Sequence, residues 1–214
     1  MEKYLEAGDL AKIACNNCQG CHACCTGMGQ SIVLSPLDVY RLEVGLDMTF
    51  EQLLASYIEL HVEDGIILPN IKMQEGTETC GLLDENGRCS AHAFRPGLCR
   101  LFPLGRNYEN NTFQYFVVEG ACPHPQKSKV KISKWLEEPN LRQNEQFIAE
   151  WHYFIKDMKN VVQWMADRPE CAKTINMLIL QEFYMKSYDF VRDFYEQYRM
   201  RKEYVEEQLR TVAD

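Results

Sequence analysis

The chain has 214 residues, of which 46% are hydrophobic and 25% charged, a composition typical of a globular protein and not of a disordered one. Its formal net charge of −8 argues against a nonspecific nucleic-acid-binding surface, so no nucleic-acid partner is expected. Residues 1–12 lack an apolar signal-peptide core and no apolar run is long enough to span a bilayer, which predicts a soluble cytoplasmic protein without a membrane partner.

Short elements of both kinds are predicted for the first part of the chain. A strand is expected over 31–34, and Ser35 with Pro36 begins a helix that Gly45 would end. A capping box predicts a second helix over about 49–59.

Turn-forming residue pairs predict hairpins in the region that follows. One hairpin turns at 64–65 between short apolar runs, and another turns at 86–87, where it would bring Cys80 and Cys89 near each other. A strand over 112–118, rich in aromatic and β-branched residues, follows an Asn-Asn turn.

The last third of the chain is helical in its pattern. A short helix should stop at Pro139, and Pro169 separates a long amphipathic helix from another over 171–185, after which Ser187 is expected to cap a final helix. The apolar stripe of the long helix comprises Phe147, Ile148, Trp151, Ile155, Met158 and Val162. The predicted fold class is α+β: a small, irregular, hairpin-rich part that carries the cysteines, packed with a helical C-terminal half.

Ten cysteines are the unusual feature of this composition, and five of them lie within residues 15–25. Only Cys171 lies beyond residue 125. This asymmetry predicts a cysteine-cluster metal-binding region over 1–125 and a helical region over 126–214, packed together as one compact unit. Because a reducing compartment keeps thiols reduced, clustered cysteines there indicate metal ligands or catalytic groups before a disulfide framework.

The spacing of the first cysteines points to one metal centre. Cys15, Cys18, Cys21 and Cys24 follow one another at a constant spacing of three residues, which lets successive sulfurs converge. Paired C-x2-C units are typical of zinc, whereas a C-x2-C-x2-C run with a distant cysteine before proline, here Cys122, is more typical of an iron–sulfur cluster. The spacing therefore slightly favours an iron–sulfur cluster and leaves Zn²⁺ open.

Histidines add further candidate ligands. His22, His92 and His124 each lie within three residues of a cysteine, so each is a candidate to replace or supplement a sulfur ligand. No phosphate-binding loop, dinucleotide fingerprint or nucleophile elbow occurs in the sequence, so it predicts no enzyme class.

Four segments carry a resemblance to a known family. Residues 18–25, CQGCHACC, resemble the C-x2-C-x2-C-C signature of the YkgJ-type cysteine-cluster proteins, which are described as zinc- or iron-chelating. The resemblance continues through 80–90 (CGLLDENGRCS), 95–103 (RPGLCRLFP) and 122–123 (CP), and so covers about 15–125. The same module occurs in flagellin lysine N-methylases, which implies an enzymatic alternative.

The resemblance implies a set of thiolate ligands, while Cys15 and Cys171 fall outside its motif. Arg95 and Arg100 flank Cys99, where they would neutralise thiolate charge or donate hydrogen bonds to sulfur. The alternative is that Arg95 caps backbone carbonyls and Arg100 pairs with a surface carboxylate. The implied ligands are Cys18, Cys21, Cys24, Cys25, Cys80, Cys89, Cys99 and Cys122.

Three function classes follow. The first is a metal-binding protein that holds an iron–sulfur cluster or zinc and has a redox, sensing or assembly role. The second is an enzyme similar to protein-lysine N-methyltransferases. The third is a protein in which zinc is a scaffold and the C-terminal helices bind a protein partner.

Overall fold

A computed structural model of the chain describes residues 3–14, 21–124 and 126–213, the last three of them by backbone alone. Helices and short antiparallel strand pairs alternate along the chain, which confirms the predicted α+β class. No helix in the described ranges is both long and apolar enough to cross a membrane.

An N-terminal strand, β1 (Leu10–Ala14), begins the regular structure and was not predicted. It pairs antiparallel with β6 (Ser128–Lys131), which leads directly into the short helix α4 (Ile132–Leu136). Ile13 of β1 and Ile132 of α4 are fully buried. The pairing therefore closes a small core between two distant parts of the chain, a contact that no local pattern encodes.

Two helices, α1 (Pro36–Leu46) and α2 (Phe50–Ser56), begin where the predicted N-caps Ser35 and Thr49 place them. Gly45 lies within α1, so the prediction that it ends the helix is wrong, and the left-handed Asp47 follows the last turn instead. A Cβ atom at position 45 would lie 2.3–2.5 Å from ring atoms of Phe94. Glycine is needed here for a close contact between a helix and a ring, not for a helix end.

The first predicted hairpin is present and longer than expected. β2 (Ile58–Glu63) and β3 (Ile66–Ile71) pair along their full lengths around residues 64–65, whose φ angles of 50° and 84° suit a two-residue hairpin turn. β2 takes the residues that were expected to end the second helix. The predicted strand over 31–34 is reduced to an isolated bridge to β3, because the chain turns into α1 at Ser35.

A second hairpin follows the short helix α3 (Gly97–Leu101). A cis peptide bond at 102–103 lies between the helix and the hairpin. Its strands are β4 (Leu104–Glu109) and β5 (Thr112–Val117), and the two asparagines at 110–111 have positive φ angles. The predicted strand at 112–118 is thereby confirmed.

The C-terminal part consists of α5 (Leu141–Trp164), α6 (Pro169–Leu180) and α7 (Phe194–Ala213). The predicted stripe of α5 is buried at Phe147, Trp151, Ile155 and Val162, where it packs into the main core.

The connection between α6 and α7 differs from the prediction. α6 continues into a π-helical turn over 181–185, and Ser187 does not cap α7, whose first turn is capped by the carboxylate of Asp193 at 2.8 Å from the Glu196 N–H. The guanidinium of Arg201, in α7, donates to the carbonyls of Glu182, Lys186 and Ser187. These carbonyls are therefore held by a side chain from the next helix and do not continue a helical ladder.

The buried side chains of the described residues form two hydrophobic clusters. The larger cluster joins α1, α2 and β3 to α5, α6 and α7, and the buried Tyr184 hydroxyl donates to the Leu34 carbonyl across it at 2.9 Å. The smaller cluster lies around β1, α4 and the β4–β5 hairpin. The cysteine-bearing segments lie where the two clusters adjoin.

Candidate metal centre

A cavity of about 520 Å³ lies between the two clusters, and we call it the thiol cavity. Ile71 and Leu82 of the larger cluster and Phe102 and Trp135 of the smaller one form its apolar walls. Six cysteines of the described residues line it: Cys21, Cys24, Cys25, Cys80, Cys89 and Cys99.

The first and second cysteine segments are tied together by backbone hydrogen bonds. The Cys80 N–H donates to the Cys25 carbonyl at 2.8 Å, and the Gly27 N–H donates to the Glu78 carbonyl at 2.8 Å. Cys25 ends a single 3-10 turn that begins at Ala23. The adjacent thiols of the first segment are thus held against the start of the second.

Cys80 and Cys89 stand on either side of a tight loop. The carboxylate of Asp84 accepts from the backbone N–H groups of Asn86 at 2.9 Å and Arg88 at 2.8 Å, which closes the turn. An isolated bridge between Leu83 and Cys89, and not a regular ladder, joins the two sides of the loop. The predicted approach of the two cysteines is confirmed, although the expected hairpin strands are not formed.

Asp38 of α1 positions the third segment. Its Oδ1 atom accepts from the Gly97 N–H at the start of α3 at 2.6 Å, while its Oδ2 atom accepts from the Ser35 N–H at 2.8 Å and hydroxyl at 2.7 Å. The side chain is buried, with 6% of its surface exposed. One carboxylate therefore caps α1 and also holds the helix that carries Cys99.

The ring of Phe94 anchors the residues that precede α3. It packs on Gly45 of α1, and the 3-10 turn His92–Phe94 brings His92 and Arg95 to the thiol cavity. Arg95 donates through Nη1 to the His92 Nε2 at 3.0 Å, and burial together with the Arg95 charge lowers the pKa of His92. The Arg95 Nε–H is buried and has no acceptor among the described residues.

Arg95 and Arg100 have different surroundings, although both flank Cys99. Arg95 lines the thiol cavity, whereas Arg100 does not and instead donates to backbone carbonyls, among them that of Ala93 at 3.3 Å. The predicted neutralising role is therefore open to Arg95 by position. Arg100 is buried and binds carbonyls, so the alternative that it pairs with a surface carboxylate is wrong.

The vicinal thiols of Cys24 and Cys25 titrate in opposite directions. A hydrogen bond from Cys25 lowers the pKa of Cys24 to about 7, and the charge of Arg95 also lowers it. The same hydrogen bond raises the pKa of Cys25, and burial raises it further. The pair can therefore hold one thiolate near neutral pH before any metal binds.

The deeper thiols favour the protonated form. Burial is the main cause that raises the pKa values of Cys80, Cys89 and Cys99, and the neighbouring cysteines add to it. A metal that binds here must displace these protons, since thiolate is the ligand form.

Two of the implied ligands lie elsewhere or are not described. Cys122 is buried in the smaller cluster, where Lys127 donates to its carbonyl at 2.8 Å, and it does not line the thiol cavity. Cys18, like Cys15, lies outside the described residues. Ligation by Cys18 and Cys122 stays a prediction.

The other candidates are distributed as follows. His92 lines the cavity, but His22 packs beside Gly87 and His124 approaches the Gln126 carbonyl at 2.8 Å. Cys171 lies in α6 and is not among the lining residues.

The donor set fits a metal held by thiolates. No three histidine, cysteine or acidic side chains of the described ranges already converge closely enough to hold a single ion. The six sulfurs nevertheless surround one cavity, and the Nε–H of Arg95 supplies an unused donor in its wall. Such a donor is suited to a sulfur-rich, negatively charged centre.

Asp38 and Phe94 are the positioning residues that sequence reasoning missed. The bond of Asp38 to Gly97 spans 59 residues and has no local signal. Phe94 could have been inferred only by asking why a glycine lies inside α1.

The comparisons with known proteins agree with this geometry. Residues 17–123, half of the chain, match the sequence model of the CxxCxxCC family, described as a "putative zinc- or iron-chelating domain". No curated protein and no solved structure matches the chain. The matched residues include all six cysteines of the thiol cavity, so the chain belongs to the CxxCxxCC family, and that membership supports a metal-binding role.

Proposed function

We propose that the thiol cavity holds an iron–sulfur cluster and that the protein uses it in a redox, sensing or assembly role. The observation that carries this proposal is the convergence of cysteines from three chain segments on one cavity. The proposed ligands are drawn from Cys21, Cys24, Cys25, Cys80, Cys89 and Cys99, with Cys18 as a further candidate. A bound cluster would supply one-electron redox chemistry.

The number of thiols and the size of the cavity support a cluster over a single zinc ion. A zinc ion binds four ligand atoms. Six cysteines of the described residues line the cavity, whose volume is about 520 Å³. A centre with several metal atoms fills more of such a cavity than one ion does.

Arg95 supports a centre with net negative charge. Several thiolates in one cavity repel one another, and a metal together with a nearby cation offsets that repulsion. Arg95 is the cation in the cavity wall whose buried Nε–H lacks an acceptor in the described part of the chain. Sulfur is the acceptor that this cavity provides.

The test is to purify the protein without oxygen and to measure iron, acid-labile sulfide, zinc and the visible absorption spectrum. We expect a brown protein whose iron and sulfide are lost in Cys89→Ser and Cys99→Ser and kept in Cys171→Ser, the matched control outside the cavity. A colourless protein with stoichiometric zinc would contradict the iron–sulfur proposal.

Zinc in that experiment would support a second candidate function, a zinc-scaffolded protein that binds a protein partner. Two exposed apolar side chains favour it, because Trp164 at the end of α5 is 80% exposed and Val191 before α7 is 95% exposed. Calorimetric binding of a methyl donor would instead support methyl transfer to a protein lysine.

A further inference from the structure

A second cavity, of about 440 Å³, lies between α1, α3 and α5, and we call it the α5 cavity. It shares no lining residue with the thiol cavity. Its volume lies within the range of about 300–1,000 Å³ in which small molecules bind. Its apolar walls include Leu37, Leu98, Phe147, Ile148, Trp151 and Ile155.

The helix α3 separates the two cavities. Leu98 and Arg100 line the α5 cavity, whereas Cys99, between them, lines the thiol cavity. Successive residues of a helix point about 100° apart, so a short helix between two cavities supplies side chains to both.

The acidic side chains that line the α5 cavity already have partners. Glu138 accepts from Arg41 through both oxygens at 2.8 Å. Lys159 binds Glu63 at 2.8 Å and Asp64 at 3.2 Å. Asp38 accepts hydrogen bonds from Ser35 and from the Gly97 N–H. Each of these carboxylates is therefore already ion-paired or hydrogen-bonded within the protein.

Arg100 is a lining cation that is buried without an ion-pair partner among the described residues. It is buried, with 8% of its surface exposed, and no described carboxylate lies within ion-pair distance of it. Its guanidinium makes only long hydrogen bonds, to the carbonyls of Ala93 at 3.3 Å, Glu137 at 3.4 Å and Leu136 at 3.5 Å. Its Nε–H has no acceptor among the described residues. A buried, unpaired charge is costly, so this arrangement calls for an anion.

Other cations line the α5 cavity together with Arg100. Arg41 is paired with Glu138. Arg106 also lines the α5 cavity, and its buried Nε–H lacks an acceptor in the described chain. Lys156 lines the cavity as an exposed cation.

We propose that the α5 cavity binds a small organic carboxylate, whose anionic group pairs with Arg100 and whose apolar body lies along the walls from α1 and α5. A carboxylate matches the planar guanidinium and needs few donors. A phosphate, with three strong acceptor oxygens, would need more polar partners than these mostly apolar walls offer. The site is separate from the metal centre and does not depend on which metal is bound there.

The probes are octanoate and 4-phenylbutyrate, titrated into the metal-loaded protein in a calorimeter. Octanamide and 4-phenylbutyramide are the neutral controls of matched shape. We expect at least one carboxylate to bind with a stoichiometry of one per chain and at least tenfold more tightly than its amide. The proposal is overturned if neither acid binds, or if acids and amides bind equally.

Two variants locate the site. Arg100→Met keeps the length of the side chain and removes the charge, and it should weaken carboxylate binding at least tenfold. Lys156→Glu changes an exposed residue, so the fold is unaffected, and it should weaken binding at least threefold, whereas Lys129→Glu, the same charge change in β6, should not. Metal content is measured for each variant, which separates loss of the anion site from loss of the metal centre. Unchanged affinity in both Arg100→Met and Lys156→Glu would refute the assignment.

Discussion

Asp38 connects the first helix to the helix that carries Cys99, so replacing it should affect both stability and the metal centre. In the native chain its carboxylate accepts three hydrogen bonds, two from Ser35 and one from Gly97. Asp38→Ala removes all three and leaves the partly buried Gly97 N–H without its partner. The start of α3 then loses its only side-chain anchor among the described contacts.

The size of the effect follows from these bonds. A hydrogen bond to a charged group contributes about 1.5–3 kcal/mol, and loss of a helix N-cap interaction costs about 1 kcal/mol. Water and local rearrangement recover part of this, so we expect Asp38→Ala to lower the free energy of unfolding by about 2–4 kcal/mol. For a chain of this length, such a loss lowers Tm by roughly 5–15 °C.

The assay is thermal unfolding followed by far-UV circular dichroism, with metal content measured on the same samples. Ser35→Ala is the informative comparison, because it weakens the α1 cap and keeps the bond to Gly97. It should lower Tm by only a few degrees, roughly what 1 kcal/mol predicts, and should keep the metal. Asp167→Ala, an exposed acid, controls for lost charge. If Asp38→Ala unfolded like Ser35→Ala and kept its full metal content, the anchoring role would be refuted.

Three further changes test the fold. Burial raises the pKa of Glu43 to about 7, so the folded state loses stability relative to the unfolded state as pH rises from about 4.5 to 7. Glu43→Gln should therefore be more stable than the wild type by on the order of 2 kcal/mol at pH 8 and equal to it at pH 4, and equal urea midpoints at both pH values would contradict this. Asn176→Ala removes bonds to the Ile67 N–H at 2.6 Å and the Gly65 carbonyl at 2.9 Å, so it should cost about 2–3 kcal/mol in urea unfolding. A loss below about 0.5 kcal/mol, the usual scatter of surface substitutions, would show that these bonds do not stabilise the hairpin. Gly45→Ala should displace the Phe94 ring and lower metal content, whereas unchanged metal content would show that the ring has room to move.

Local chemistry was enough to predict some elements. The predicted N-caps Ser35 and Thr49 place the starts of α1 and α2 correctly because each cap and its partner lie within four residues of each other. The turns at 64–65 and 110–111 were predicted for a similar reason, since Asp, Asn and Gly tolerate positive φ.

The failed predictions share a different cause. Gly45 was expected to end a helix, but the ring that requires a glycine lies 49 positions further along the chain. Ser187 and Asp193 are both acceptable N-caps, and the choice between them depends on Arg201, which binds the carbonyls around Ser187. Contacts of this kind arise only after the chain has packed.

The candidate site also combines features that the local sequence predicts with features that depend on packing. The spacing of the cysteines predicts which side chains bind metal, because ligand spacing is a local property. The sequence could not show that Cys99 and Arg100 line different cavities, or that Cys122 lies in the smaller core.

The position of α3 depends on contacts from both sides. A helix of five residues is too short to be stable by itself, so tertiary contacts must hold it. The structure supplies a carboxylate at its start, backbone carbonyls around Arg100, and the thiol cavity at Cys99. Metal bound by Cys99 would therefore order the wall of the α5 cavity as well. One short helix would then position residues of both the proposed metal centre and the proposed carboxylate site.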